Sequence, residues 1–354
     1  MPFDNRPSAP HNAMARQAPR VIVVWLFALC AMILVMVSLG GATRLTGSGL
    51  SIMEWAPILG TLPPLSEAEW QRLFALYQKI PQYELVNHGF GLEGFKSIFW
   101  LEWAHRLWGR LMGLALAGPL IVFSLRGMIS RRLGVRLVLL LGLGGLQGGV
   151  GWFMVASGFA ADSTAVSAYR LVLHLVLALS LYSAMLWTAL GLLPRSRQGR
   201  GARWLGLASG ALVLLVGVTI IAGGFVAGLK AGLIYNSFPL MDGGLVPGDY
   251  GALPSWWRNL FENPAAVQFN HRLLATLVVS AALVVALLGL VQGARGFLRG
   301  ALLGLGIVAC AQYALGVATL LWVVPVSLGT AHQAMAVVLL TAALVLRHAQ
   351  RAAP

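Results

Sequence analysis

Glu102-Trp103-Ala104-His105-Arg106-Leu107 heads one long apolar stretch, and Gln268-Phe269-Asn270-His271-Arg272-Leu273 heads another 166 residues later. A histidine followed by arginine, repeated at the mouth of two runs long enough to cross a bilayer, is the signature of a duplicated membrane segment. Working outward, the echo continues. Gln147 is answered by Gln312 after 165 residues and His174 by His332 after 158, and Gly40-Gly41 is answered by Gly223-Gly224. Eight apolar stretches of about 20 residues carry these pairs: 21–42, 100–124, 135–157, 169–191, 204–226, 267–290, 298–322 and 328–347. Each must satisfy its own backbone in lipid, and the runs are continuous where a barrel strand would alternate, so each is predicted helical. The expected fold is an all-α polytopic membrane protein, with eight transmembrane helices as two tandem four-helix bundles. Because four is even, the halves share one orientation.

Composition agrees. Of 354 residues 58% are hydrophobic and 10% charged, against about 25% charged in an ordinary soluble domain. That excludes a water-soluble globule and a disordered chain. The net charge of +14 would suggest nucleic acid in a soluble protein, but here the cations border apolar spans. Arg6, Arg16, Arg20, Arg126, Arg131, Arg132, Arg136, Arg195, Arg197, Arg200, Arg203, Arg295, Arg299, Arg347 and Arg351 fall on one side, fifteen of the 25 Lys and Arg. The positive-inside rule makes that side cytoplasmic, with both termini there, and no nucleic-acid partner is expected. The expected division is 1–20 cytoplasmic tail, 21–191 first repeat, 192–203 cytoplasmic linker, 204–347 second repeat and 348–354 tail. The first span reads as a retained anchor, not a cleaved leader. Cys30 and Cys310 read as packing residues inside spans.

Two loops on the other side are long. In the first, Ser66-Glu67-Ala68-Glu69 reads as a capping box, and Trp70, Leu73, Phe74 and Tyr77 form one helical stripe. A short amphipathic helix on that face is predicted.

Of seven histidines, His11, His88 and His348 read as solvated tail or loop residues. His105, His174, His271 and His332 sit inside the second, fourth, sixth and eighth spans. Ionisable groups there are costly and point to function. All four lie close to the non-cytoplasmic ends of their helices, so each bundle has two imidazoles at one depth, the arrangement that holds an iron porphyrin by two axial ligands. Both sites lie near one face, unlike a cytochrome carrying electrons from face to face. Arg106 and Arg272 follow their histidines and Arg170 lies one turn before His174; each suits an anionic propionate, or else snorkels to the interface. The halves differ at one place. Glu102 stands three residues before His105 where Gln268 stands three before His271. A carboxylate can take a proton or stabilise positive charge and an amide cannot, so the first half is expected to be the reactive one. A surface ion pair of Glu102 with Arg106 is the competing reading.

The stretches Gly40–Ser51, Glu102–Arg110, Asn236–Met241 and Gln268–Arg272 resemble the haem A synthase family of cytochrome oxidase assembly, most closely its mitochondrial and alphaproteobacterial branch, which lacks the loop cysteine pairs of another branch. The resemblance implies oxidation of the C8 methyl of haem O to the formyl of haem A. It implies a haem b cofactor on His271 and His332, with Arg272 beside it. It implies the substrate haem on His105 and His174, with Arg106 and Arg170 beside it, and Glu102 as the essential acid. It further implies a cell inner membrane location with sites near the periplasmic face, and haem O synthase and cytochrome oxidase assembly factors as partners besides the lipid bilayer. A non-catalytic b-type electron-transfer cytochrome is the alternative. A transporter of parallel repeats is a third reading, disfavoured because no paired mid-membrane interruptions are evident.

Overall fold

A computed structural model describes residues 20–161, 163–193 and 203–350. His11, Arg6, Arg16, Arg195, Arg197, Arg200, Arg351 and most of the expected linker and tails lie outside the described residues. The elements are α1 (Arg20–Leu45), α2 (Glu67–Tyr77), α3 (Pro81–Leu85), α4 (Leu92–Leu125), α5 (Arg131–Val155), α6 (Ala168–Gly191), α7 (Arg203–Gly228), α8 (Trp256–Glu262), α9 (Pro264–Val291), α10 (Gly296–Leu321) and α11 (Val326–Ala349). Eight of them, α1, α4–α7 and α9–α11, are long and apolar enough to cross a membrane. No strand occurs among the described residues.

Local chemistry sets the ends. Ser130 accepts from the Leu133 amide at the head of α5, and Asn263 accepts from Ala265 and Ala266 at the head of α9. Pro264 occupies the first turn of α9, where its missing N–H costs nothing.

Helix contacts close into two rings, α1–α4–α5–α6 and α7–α9–α10–α11, which meet where α1 and α6 pack on α11 and α6 packs on α7. Indole N–H groups tie α4 to α1, from Trp25 to the Ala115 carbonyl (2.8 Å) and from Trp108 to Met32 (2.9 Å). Tyr182 of α6 and Thr341 of α11 share a 2.6 Å hydrogen bond across the junction.

Three expectations change. α4 starts at Leu92, eight residues before the expected span at 100. Its extension presents Phe95, Ile98 and Phe99 to Trp70, Leu73, Phe74 and Tyr77 of α2. The predicted stripe thus packs on protein, and Ser66 caps α2 by accepting from the Glu69 amide. His348 belongs to the last turn of α11 and sits edge-on to Trp187, so it is no free tail residue. Cys30 is buried as expected, but Cys310 is exposed on the outside of α10.

Candidate functional site

All four intramembrane histidines stand against a glycine of the preceding long helix. A Cβ placed on Gly40 would lie 3.1 Å from the His105 ring, on Gly151 2.9 Å from His174, on Gly223 2.9 Å from His271 and on Gly316 2.8 Å from His332. No side chain larger than hydrogen fits at the last three without moving the imidazole. The glycines belong to α1, α5, α7 and α10, and each is four or five residues from that helix's end at Leu45, Val155, Gly228 and Leu321. At about 1.5 Å per residue, the four imidazoles share one level, roughly a turn and a half below the end of the bundle opposite Arg20 and Ala349.

In the second ring the His271 and His332 ring centres are 6.4 Å apart, with planes at 86°. One metal ion between facing nitrogens, bonded at about 2 Å to each, accounts for that separation. His271 Nδ1 is paired with the Thr219 carbonyl at 3.1 Å, whereas His332 Nδ1 is buried with no hydrogen-bond partner. With Nδ1 of His271 held by backbone, its other ring nitrogen is the one left to bind a ligand. The donor set therefore fits a bis-imidazole iron porphyrin. In the first ring the Gln147 amide nitrogen stands 3.2 Å from both ring nitrogens of His174. Gln147 donates to the His174 carbonyl at 3.0 Å and Gln312 repeats this with His332 at 3.2 Å, pinning both helices at the same register.

The rings adjoin. Gly41, next to Gly40, receives the Gln333 side chain, whose amide donates to the Val37 carbonyl at 3.0 Å. Gln333 follows His332, so α1 and α11 bring the two histidine pairs side by side.

The residue three before each α4 or α9 histidine fastens a loop. Glu102 is 3% exposed. Its Oε2 accepts from Ser51 N (2.7 Å), Ser51 Oγ (2.8 Å) and Ile52 N (3.0 Å), and its Oε1 from Arg106 Nη2 (2.7 Å) and Nε (3.1 Å). Gln268 reverses the polarity. Its amide donates to the Ala231 and Ile234 carbonyls, both at 2.6 Å, and its carbonyl accepts from Arg272 at 2.8 Å. The arginines match as well. Arg106 donates to Ile52 O (2.7 Å) and Glu54 O (2.9 Å), and Arg272 to the Tyr235 and Ser237 carbonyls. The acid-for-amide exchange read from the sequence thus coincides with loop N–H groups in one half and loop carbonyls in the other. The competing picture of a surface ion pair is half right, since Glu102 and Arg106 do pair, but in a buried site. Arg170 donates to the Phe153 carbonyl at 2.9 Å and stacks on that ring at 3.9 Å.

Sequence reading missed Gly151 and Gly316 as partners of histidine. Their 165-residue separation equals that of Gln147 and Gln312, which was the available signal. It also missed Ser51 and Ile52 as partners of Glu102, because they come from irregular backbone some 50 residues upstream.

A family model described as "Cytochrome oxidase assembly protein" matches residues 23–344. A protein named "Heme A synthase" from Granulibacter bethesdensis is 61% identical over 345 residues, covering 97% of this chain and 91% of its own. Another of that name from Azorhizobium caulinodans is 50% identical, covering 94% and 95%. A third from Nitrosospira multiformis is 46% identical, covering 98% and 97%.

Proposed function

Given that this chain belongs to the haem A synthase family of cytochrome oxidase assembly proteins, we propose that it is a haem A synthase, oxidising the C8 methyl of haem O to the formyl of haem A. The change takes two two-electron oxidations, methyl to alcohol and alcohol to aldehyde, and the four electrons must leave to an external acceptor. The observation that carries the reading is the perpendicular pair of imidazoles 6.4 Å apart in the second ring, with a glycine-backed pair repeated in the first.

His271 and His332 would hold haem b, and His105 and His174 the iron of the substrate haem. Haem b when bound supplies a one-electron redox centre. The protein residues do the rest. Gly40, Gly151, Gly223 and Gly316 let the imidazoles retreat against helix backbone and leave room for a flat macrocycle. Glu102, one turn from His105 and held by five hydrogen-bond donors, sets a fixed carboxyl group beside the substrate site. Its lone pairs are already engaged, so it acts by stabilising positive charge developing at the oxidised carbon. Arg106, Arg170 and Arg272 keep that end of each site cationic for propionates. The inner membrane, a site near the periplasmic face, cytoplasmic termini, and supply by haem O synthase complete the proposal.

The test is extraction of haem from cells making haem O and this chain. Wild type yields haem A. Glu102→Gln retains haem b and loses conversion, and His271→Ala loses the haem b absorbance at unchanged helical content. Wild-type protein that binds haem yet makes no haem A would overturn the proposal in favour of a simple electron-transfer cytochrome.

A further inference from the structure

The segment Trp55-Ala56-Pro57-Ile58-Leu59-Gly60-Thr61-Leu62-Pro63-Pro64-Leu65 carries no charge, yet it exposes Ile58 by 81%, Leu59 by 88%, Leu62 by 69% and Leu65 by 81%. Four large aliphatic side chains turned outward together form a patch that water would penalise at about 25 cal/mol per Å². Three observations say what covers it. First, the segment is fastened to a spanning helix. Arg110 of α4 donates from Nε to the Pro57 carbonyl and from Nη2 to the Ala56 carbonyl, both at 2.7 Å. Arg110 lies two turns further along α4 than Glu102, or about 12 Å. Second, the patch continues the outer surface of that helix, where Leu111 and Leu114 are 42% and 69% exposed. Third, part of its backbone is already engaged. Pro57, Pro63 and Pro64 bring no N–H, Arg110 satisfies two carbonyls, and Thr61 donates to the Ile58 carbonyl from both its amide (3.2 Å) and its hydroxyl (2.7 Å). The remaining polar groups need water, which fits the hydrated headgroup boundary and not the hydrocarbon core. The flanking charges are paired with one another, Arg72 of α2 binding Glu54 and Glu69.

We propose that residues 55–65 insert into the bilayer leaflet at the end opposite the termini, as a lipid-contacting flap. Trp55 packs edge-on to Trp152 at 5.2 Å, so the flap spans the side of the first ring between α4 and α5, at the level of His105 and His174. Its depth is the interfacial zone where acyl chains begin, roughly 5–10 Å in. The inference is independent of what the histidines bind.

The experiment uses the full chain in phosphatidylcholine–phosphatidylglycerol vesicles. Cys310→Ala removes the exposed thiol and leaves Cys30 buried. Leu59→Cys and, separately, Leu62→Cys carry an environment-sensitive fluorophore, with Glu93→Cys as the aqueous reference. The expected result is blue-shifted emission at 59 and 62, quenched several-fold more by shallow lipid nitroxides than at 93, and resistant to iodide. Quenching by iodide at 59 and 62 to the extent seen at 93 overturns the proposal. So does shielding from both quenchers, which would mean a second copy or a partner protein covers the patch. Two label positions keep the test decisive if one variant fails to fold.

Discussion

Glu102 and Gln268 occupy one structural position with opposite hydrogen-bond polarity, and each suits only its own loop. In Glu102→Gln one face of the amide must point N–H groups at the Ser51 and Ile52 donors or at the Arg106 guanidinium. Breaking so buried a charged network costs about 3 kcal/mol, and a lowered melting temperature in detergent checks it. The reciprocal Gln268→Glu sets a carboxylate against the Ala231 and Ile234 carbonyls. It is expected to destabilise by at least about 2 kcal/mol and not to create a second reactive half. The glycines make a sharper test. Gly223→Ala or Gly316→Ala pushes a methyl into an imidazole at 2.9 or 2.8 Å, costing about 1–3 kcal/mol by overpacking and changing the haem absorbance. Gly217→Ala, with no heavy atom within 4 Å, leaves both unchanged or gains up to about 1 kcal/mol of helix propensity. An unaltered spectrum in Gly223→Ala and Gly316→Ala would remove the glycines from the haem sites.

At the scale of elements, α2 is held by apolar packing on α4 and by Arg72, which bridges Glu54 and Glu69. Hydrogen bonds from Arg72 keep both carboxyls below the ordinary carboxylate range. That stabilisation is present at neutral pH and is lost as pH falls through the depressed values. The groups are more than two-fifths exposed, so solvent screening makes the effect small. Proteolysis within 54–80 should therefore quicken only slightly on acidification, and Arg72→Ala should abolish that pH dependence. The capping signal and stripe of α2 were readable because period and cap are local. The partner surface was not. Glu93 and Lys96 break the apolar run of α4, although Phe95, Ile98, Phe99 and Glu102 continue one buried face at helical spacing. A hydropathy window sees charge there; the helix sees a face.

Across the whole molecule, the eight spans and the fourfold histidine pattern were legible because length, apolarity and duplication are properties of sequence alone. The junction of the halves was not. It depends on single contacts such as Gln333 to Val37 and Tyr182 to Thr341, which no period announces. The level shared by the four histidines has an electrical consequence. An electron passing between the proposed haem positions moves parallel to the bilayer and crosses almost none of the transmembrane potential. A full crossing would be worth about 2.3 kcal/mol per 100 mV; the lateral path is worth nearly nothing. Haem A formation in sealed vesicles should hold its rate when a potassium diffusion potential of either sign is imposed, and a voltage-dependent rate would place the redox partners at different depths.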